Sequence, residues 1–243
     1  MQHIVMFSGG IGSWAAAKRL SQRGTGPLTL LFCDTRMEDA DLYRFLTEAA
    51  GNVGGKLVRI QDGRTPWQVF YDTRFLGNTR VDPCSRILKR ALAKAWIEQN
   101  ANPRHTILYM GMDWTEMHRL VRSQRFWAPW RVEAPMCEEP LIDKPDMLKA
   151  LEAEGIRVPR LYDLGFPHNN CGGFCIKAGK AHFKLLLEKL PERYRFHERA
   201  EAAMRKYLGR NVSILTDQRG GFKTPMTLAD FRCHLTTGGE VDP

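Results

Sequence analysis

Met1-Gln2-His3-Ile4-Val5-Met6-Phe7-Ser8-Gly9-Gly10-Ile11-Gly12-Ser13-Trp14-Ala15-Ala16-Ala17-Lys18 opens the chain and decides how the rest is read. An apolar strand, Ile4–Phe7, runs straight into a turn of glycines and serines, and an alanine-rich helix begins at once, Ser13–Arg23. Glycines at a strand-to-helix turn let backbone amides approach a ligand closely. The first turn of the helix adds unpaired N–H donors and the positive end of the dipole. This is the composition of an anion site, and phosphate suits it.

The pattern continues outward. Leu28–Cys33 is apolar, Asp39–Ala50 amphipathic and Leu57–Ile60 apolar again. Strand and helix alternate as βαβαβ, which predicts a parallel sheet with right-handed crossovers. An irregular stretch punctuated by Gly63, Pro66, Gly77 and Pro83 follows, then a helix expected over Ser85–Gln99 and a strand over Thr106–Met110. From Pro140 onward the periodicity predicts helices over Pro145–Glu154, Lys177–Leu190 and Pro191–Leu208, and the tail after Gly209 is loosely patterned. The expected architecture is α/β, a doubly wound and mostly parallel sheet with a helical, cysteine-bearing C-terminal region. Residues 1–140 form the nucleotide-binding core, and 141–243 a helical region packed on the same domain.

Three phosphate ligands compete for the loop. A P-loop needs Lys-Ser/Thr after its last glycine, and Trp14 follows Ser13, so that reading fails. Gly10-Ile11-Gly12-Ser13-Trp14-Ala15 fits the dinucleotide fingerprint G-x-G-x-x-A, with Asp34 standing 22 residues beyond Gly12, where a ribose-binding acid belongs. The third reading is the pyrophosphatase loop Ser-Gly-Gly-x-x-Ser of adenylating enzymes, which holds the β,γ-phosphates of ATP. A side chain at Gly10 is expected to obstruct the phosphate.

The chain carries 243 residues, 43% of them hydrophobic, with no apolar run of membrane-spanning length. Lys and Arg exceed Asp and Glu by 36 to 27, a formal net charge of +9. Between Lys177 and Lys223 twelve basic residues face five acids, and Arg119–Arg131 holds four Arg, Phe126, Trp127 and Trp130 with no acid. Such stretches suit a phosphate-bearing partner, with Trp127 or Trp130 either stacking an unpaired base or packing in the core. The N-terminus lacks the pattern of a secretory signal, so the six cysteines are expected as thiols or metal ligands in a reducing cytoplasm. Cys171-Gly172-Gly173-Phe174-Cys175 can place two thiolates on one centre because its glycines let the loop curl. Zinc, with His168 or Cys137 as a further ligand, and metal-free persulfide chemistry both remain open there.

Ser8-Gly9-Gly10-Ile11-Gly12-Ser13 resembles the pyrophosphatase loop of the phosphoadenylyl-sulfate (PAPS) reductase-like superfamily, which includes sulfonucleotide reductases, tRNA thiolases and the ATP pyrophosphatases of DNA phosphorothioation. Further segments match in the family's order over roughly Met1 to Ala181. They are Cys33-Asp34-Thr35, Pro83-Cys84-Ser85-Arg86-Ile87-Leu88-Lys89, Gly111-Met112-Asp113-Trp114-Thr115-Glu116-Met117-His118-Arg119, Glu139-Pro140-Leu141-Ile142-Asp143, and Leu161-Tyr162-Asp163-Leu164-Gly165-Phe166 followed by the Cys171–Cys175 pair. The resemblance implies an adenine nucleotide alpha hydrolase-like fold and an ATP-dependent sulfurtransferase, an ATP pyrophosphatase that adenylates a substrate so that sulfur can displace AMP. It implies that Ser8, Gly9, Gly10, Gly12, Ser13, Asp34 and Gly111 bind ATP with Mg²⁺, and that Lys89, Arg119 or Arg122 neutralise the leaving phosphates. It also implies that Cys84, Cys171 and Cys175 hold a [4Fe–4S] cluster with one open iron, a nucleic acid (DNA or tRNA) as substrate, and a sulfur donor such as a cysteine desulfurase as partner. Four departures stand out. Gly12 replaces the Asp of thiolase-type loops, Asp113 replaces a frequent Arg, and Ser85 stands where some reductases carry a second cysteine. Cys233-His234 echoes the reductases' C-terminal Glu-Cys-Gly-His without its Glu and Gly. A PAPS or adenylyl-sulfate reductase is therefore the alternative enzyme, and an inactive nucleotide-binding subunit the alternative from another class.

Overall fold

A computed structural model of the chain describes residues 1–77, 81–218 and 222–237. Residues 219–221 of the basic Lys177–Lys223 stretch, and the end of the tail from residue 238, lie outside the described residues. Side chains of a strand alternate between faces, and strand β1 (Gln2–Met6) puts Ile4 into one core and Val5 into another. Helix α1 (Ile11–Gln22) returns the chain to β2 (Leu28–Asp34), and α2 (Ala40–Val53) to β3 (Lys56–Gln61). Beyond it come α3 (Pro66–Thr73), α4 (Pro83–Ser85), a wide π turn at Arg86–Ala91, α5 (Leu92–Asn100) and β4 (Thr106–Met110). Next are the 3₁₀ turn Trp114–Arg119, α6 (Leu120–Trp127), β5 (Arg131–Glu133), α7 (Lys144–Ala153) and α8 (Arg160–Asp163). The chain ends with α9 (Lys180–Lys189), α10 (Pro191–Leu208), strands β6 (Leu215–Asp217) and β7 (Thr224–Met226), and α11 (Leu228–Thr236).

Strands β1 to β5 form one sheet in the order β3-β2-β1-β4-β5, every neighbouring pair parallel. The α/β class and the doubly wound parallel sheet expected from sequence are what the structure has. One face carries Val5, Phe7, Leu30, Phe32, Ile107 and Tyr109 beneath α1, α2 and α7, and Ala15, Ala16 and Ala17 let α1 lie close to the strands. Against the other face, with Ile4, Leu31 and Leu108, pack Ala93 and Ile97 of α5 together with Trp127 and Trp130. A third core joins Trp67 and Phe70 of α3 to Phe183, Leu186, Tyr194, Met204 and Phe231 of the C-terminal helices. The chain leaves β1 and β4 towards opposite layers, so a crevice opens between the ends of these neighbours, the place where open α/β sheets bind ligands.

Several local readings change. The stretch around Pro66 is a helix, held at its start by a capping box in which Thr65 and Gln68 satisfy each other's backbone amides, with Pro66 in the first turn. The helix expected over Ser85–Gln99 is present, running through α4 and α5, with the π turn that carries Lys89 inside it. The tail holds the antiparallel β6–β7 pair and α11, whose Phe231 is fully buried.

Candidate active site

The glycine-serine turn sits at the crevice. Gly9 is left-handed, with φ +77°, a conformation that glycine adopts without penalty. Gly10 caps α1 with no side-chain partner, and the first turn carries no acid, so nothing charged on the helix itself offsets its positive end. The close approach that demands glycine is at position 12: a Cβ there would strike the carbonyl oxygen of Gly111, and one at Gly111 would stand 2.6 Å from the Ser13 backbone. Gly10 differs, because its φ of −93° suits any residue and a Cβ would meet Tyr162 Oη at an ordinary 3.4 Å. A Cβ at Gly10 thus disturbs no neighbour of the turn, and the strict positions are Gly9, where one would press on Leu42 at 3.0 Å, and Gly12, where one would strike Gly111. The same contact gives Gly12 a steric reason for lacking the Asp of thiolase-type loops.

Both serines serve the loop as well as facing it. Ser13 Oγ donates to Gly10 O at 2.7 Å, and Ser8 Oγ lies 3.4 Å from the Gly10 amide. Two groups from the C-terminal half hold the loop in place. The Ile11 amide donates to Tyr162 Oη at 3.1 Å, and Asn169 Nδ2 donates to Gly9 O at 2.9 Å. Lys144 lies over the Tyr162 ring, 4.9 Å from its centroid, and donates to Pro167 O. Burial lowers its pKa against the opposing pull of Asp113 and Glu116. Arg119 is exposed and paired with Glu116, and Arg122 is exposed.

Asp34, expected at ribose or metal, is buried and engaged: it accepts from the Arg36 amide at 2.7 Å, Tyr43 Oη at 3.0 Å and the Arg59 guanidinium. Next along the chain, Thr35 Oγ1 donates to Glu38 at 2.8 Å, and the other oxygen of Glu38 accepts from the Cys171 amide. Asp39, fully buried, is pushed up by burial and held below the ordinary carboxylate range by Arg160, the Asp41 amide and Arg193. Arg193 also donates to Gly172 O, which ties α10 to the thiol loop.

That loop surrounds a lysine. Lys89 Nζ lies 3.9 Å from Cys171 Sγ, and its backbone carbonyl accepts from Cys33 Sγ at 3.6 Å. Burial opposes its charge, but Cys171, Glu38, Cys84 and Cys33 together hold its pKa above the ordinary value. Burial pushes Cys171 up to about 12, with Lys89 pulling the other way, and pushes Cys84 and Cys33 to about 11. Cys84 and Cys175 add to the upward push on Cys171, a smaller effect than its burial. Lys89, expected at the leaving phosphates, has its ammonium among the thiols. Cys171 itself is left-handed at φ +51°, a strained conformation for a residue with a side chain.

Among the described residues, no three His, Cys, Asp or Glu side chains are gathered so as to hold a metal ion. Of the three cysteines expected as cluster ligands, Cys171 has the Lys89 ammonium 3.9 Å from its Sγ. Cys137, the other suggested ligand, donates instead to Asp113 O at 3.2 Å. Trp127 and Trp130 are buried, while the aromatic rings exposed near the Arg-rich segment are Trp114 and Phe126. Cys233 is exposed on α11. No described helix is long and apolar enough to cross a membrane.

Sequence reasoning missed Glu38, Asn169 and His197. His197 stacks on Phe174 at 3.9 Å and accepts from Trp67 Nε1 at 3.0 Å, and burial lowers its pKa to about 3, so it stays neutral. With Met37, Glu38, Lys189, Arg193 and Phe196 it lines a cleft of about 620 Å³, which borders the thiol loop through Glu38 and Arg193. No local pattern marks these three, because each pairs with a residue more than a hundred positions away along the chain.

No family model matches the chain, and no curated protein matches it. Among solved structures it is similar to phosphoadenylyl-sulfate (PAPS) reductase from Candida auris in a phosphate complex, at 12% identity and a TM-score of 0.48, covering 68% of this chain and 79% of that one.

Proposed function

We propose that the chain is an ATP pyrophosphatase of sulfur transfer. It binds the triphosphate of ATP at the start of α1, transfers AMP to an oxygen of its substrate, and delivers sulfur to the activated position from the thiol loop. The observation that carries this reading is the physical link between the two sites: Asn169 holds Gly9 of the phosphate loop, and two residues later Cys171 lies beside Lys89. In the first half-reaction the substrate oxygen attacks the α-phosphorus and the bond to the β-phosphate breaks, releasing pyrophosphate. The open helix terminus and the loop amides favour the charge that builds on the leaving group. In the second, the outer sulfur of a persulfide that a persulfide donor leaves on Cys171 attacks the activated atom, AMP departs with the bonding electrons, and an added thiol cleaves the resulting disulfide to release the thiolated product. At neutral pH Cys171 is a protonated thiol, and Lys89 is the cation placed to stabilise it, or a sulfur carried on it, when the proton leaves. Mg²⁺ would screen the phosphates when bound. A nucleic acid is the proposed substrate, supported by the exposed Arg119, Arg122, Arg125, Trp114 and Phe126 that follow Gly111 in the chain.

The test is pyrophosphate release from ATP, measured alone and with DNA or tRNA, together with sulfur transfer from a sulfide or persulfide donor. Release that depends on nucleic acid supports the reading, and no release under any of these conditions overturns it. One observation favours a sulfonucleotide reductase instead: Cys233 is exposed on α11 beside His234. Sulfite production from PAPS or adenylyl sulfate with a thiol donor, abolished in Cys233→Ser, would establish that alternative.

A further inference from the structure

Asn169 is 1% exposed and sits between the two sites. A carbonyl only accepts, so its contact with Gly9 O fixes which way the amide faces: Nδ2 points at Gly9, and Oδ1 is turned elsewhere. That oxygen is buried and has no partner among the described residues. An unpaired buried acceptor is destabilising, and a leucine would fill similar space without it, so packing alone does not account for an amide at this position.

The peptide that Asn169 grips joins two glycines, Gly9 at φ +77° and Gly10, and it is trans. In a trans peptide the C=O and N–H point in opposite directions. Holding the Gly9 carbonyl towards Asn169 therefore turns the Gly10 N–H the other way, towards the exposed Ser8, whose Oγ at 3.4 Å is its one close acceptor. Between two glycines such a peptide flips easily, and a flip would present a carbonyl oxygen where the anion is to sit.

We propose that Asn169 is a positioning residue for the phosphate site: its grip on the Gly9 carbonyl keeps the Gly10 N–H facing outward as a donor to the terminal phosphates of a nucleoside triphosphate. This rests on the reading of the loop as a triphosphate site, and the experiment separates the two. A non-hydrolysable ATP analogue is titrated calorimetrically into the wild type, Asn169→Leu and Asn169→Asp between pH 5 and 8, each variant's affinity being taken relative to the wild type at the same pH. Asn169→Leu cannot donate, and binding weakens about ten-fold or more at every pH. Asn169→Asp can donate only while its buried carboxyl is protonated. Its binding stays near the wild-type value at pH 5 and falls by more than about ten-fold as the pH rises and the carboxyl ionises. A purely structural role would give no such pH-dependent rescue. A measurement free of variants accompanies these titrations: the Gly10 amide resonance of the wild type shifts when the analogue binds. Wild-type binding with both variants unaffected, or with an unmoved Gly10 amide, overturns the proposal and leaves the triphosphate reading standing. Failure of the wild type to bind overturns both.

Discussion

The phosphate loop at Ser8–Ser13 and the thiol loop at Cys171–Cys175 touch through Asn169, yet they are built from different material. In the first, the decisive groups are main chain: the Gly9 carbonyl, the Gly10 and Ile11 amides, and the approach of Gly12 to the backbone of Gly111. In the second they are side chains drawn from three separate elements, Cys171 from its own loop, Lys89 from the π turn and Glu38 from the segment before α2. A site made of backbone is damaged by volume, because backbone has nowhere to move. A site made of charged and ionisable side chains is damaged by a change of protonation or charge, while its shape survives.

Gly12→Ala should have the largest effect. Its Cβ meets the Gly111 carbonyl oxygen, with no flexible side chain to yield, and we expect a destabilisation of about 3 kcal/mol and loss of nucleotide binding. Thermal melting with and without an ATP analogue measures both, and a variant that melts and binds like the wild type would remove the steric half of the comparison.

Acid should act next, and on the thiol side. His197 packs against Phe174 inside the Cys171–Cys175 loop, and its pKa is depressed by burial to about 3. In the unfolded chain it would take up a proton near pH 6.5. The unfolded state therefore binds the proton first, and this stability is fully present above about pH 6.5 and declines as the pH falls towards 3. At pH 4.5 the loss amounts to about 2–3 kcal/mol. His197→Gln, which keeps an acceptor for Trp67 and cannot titrate, should lose that dependence. Denaturation midpoints at pH 7 and pH 4.5 for the two proteins decide it, and an equal decline in both would show that this ring is not the sensitive group.

Lys89→Met tests the charge without the shape. The ammonium lowers the Cys171 pKa from 3.9 Å away, so removing it should raise that pKa by about one unit and slow alkylation of Cys171 about ten-fold at pH 9. Peptide mapping after timed iodoacetamide treatment reads the rate at each cysteine. Unchanged alkylation would mean that burial alone sets the reactivity of the loop.

The smallest effect belongs to Gly10→Ala. Its backbone is extended and its Cβ has 3.4 Å of room below Tyr162 Oη, so stability should change by less than about 0.5 kcal/mol. A large loss here would mean that the loop tolerates no volume anywhere, and the contrast with Gly12 would vanish.

The fold was legible in the order of apolar runs, since Ile4–Phe7, Leu28–Cys33 and Leu57–Ile60 with helices between them admit few arrangements other than a parallel sheet. The turn at Ser8–Ser13 was legible because its glycines and the start of the helix that follows are contiguous in the chain, although Tyr162 and Asn169, which hold it, are not. The 3.6-residue periodicity gave α10 at its observed bounds. The helix at Pro66 was hidden by its proline, although Thr65 and Gln68 spell its cap.

What the sequence left open depends on contacts between residues far apart in the chain. Which glycines of the loop are strict depends on how near Leu42 and Gly111 come, Lys89 lies with thiols rather than phosphates because the π turn faces the Cys171 loop, and Trp127 and Trp130 enter the core while Trp114 and Phe126 remain outside. Local sequence sets backbone conformation over a few residues, whereas burial, the charge around a thiol and the distance between two loops are properties of the packed chain. The glycine turn could therefore be read from a single stretch of residues, and its surroundings only once the chain had folded.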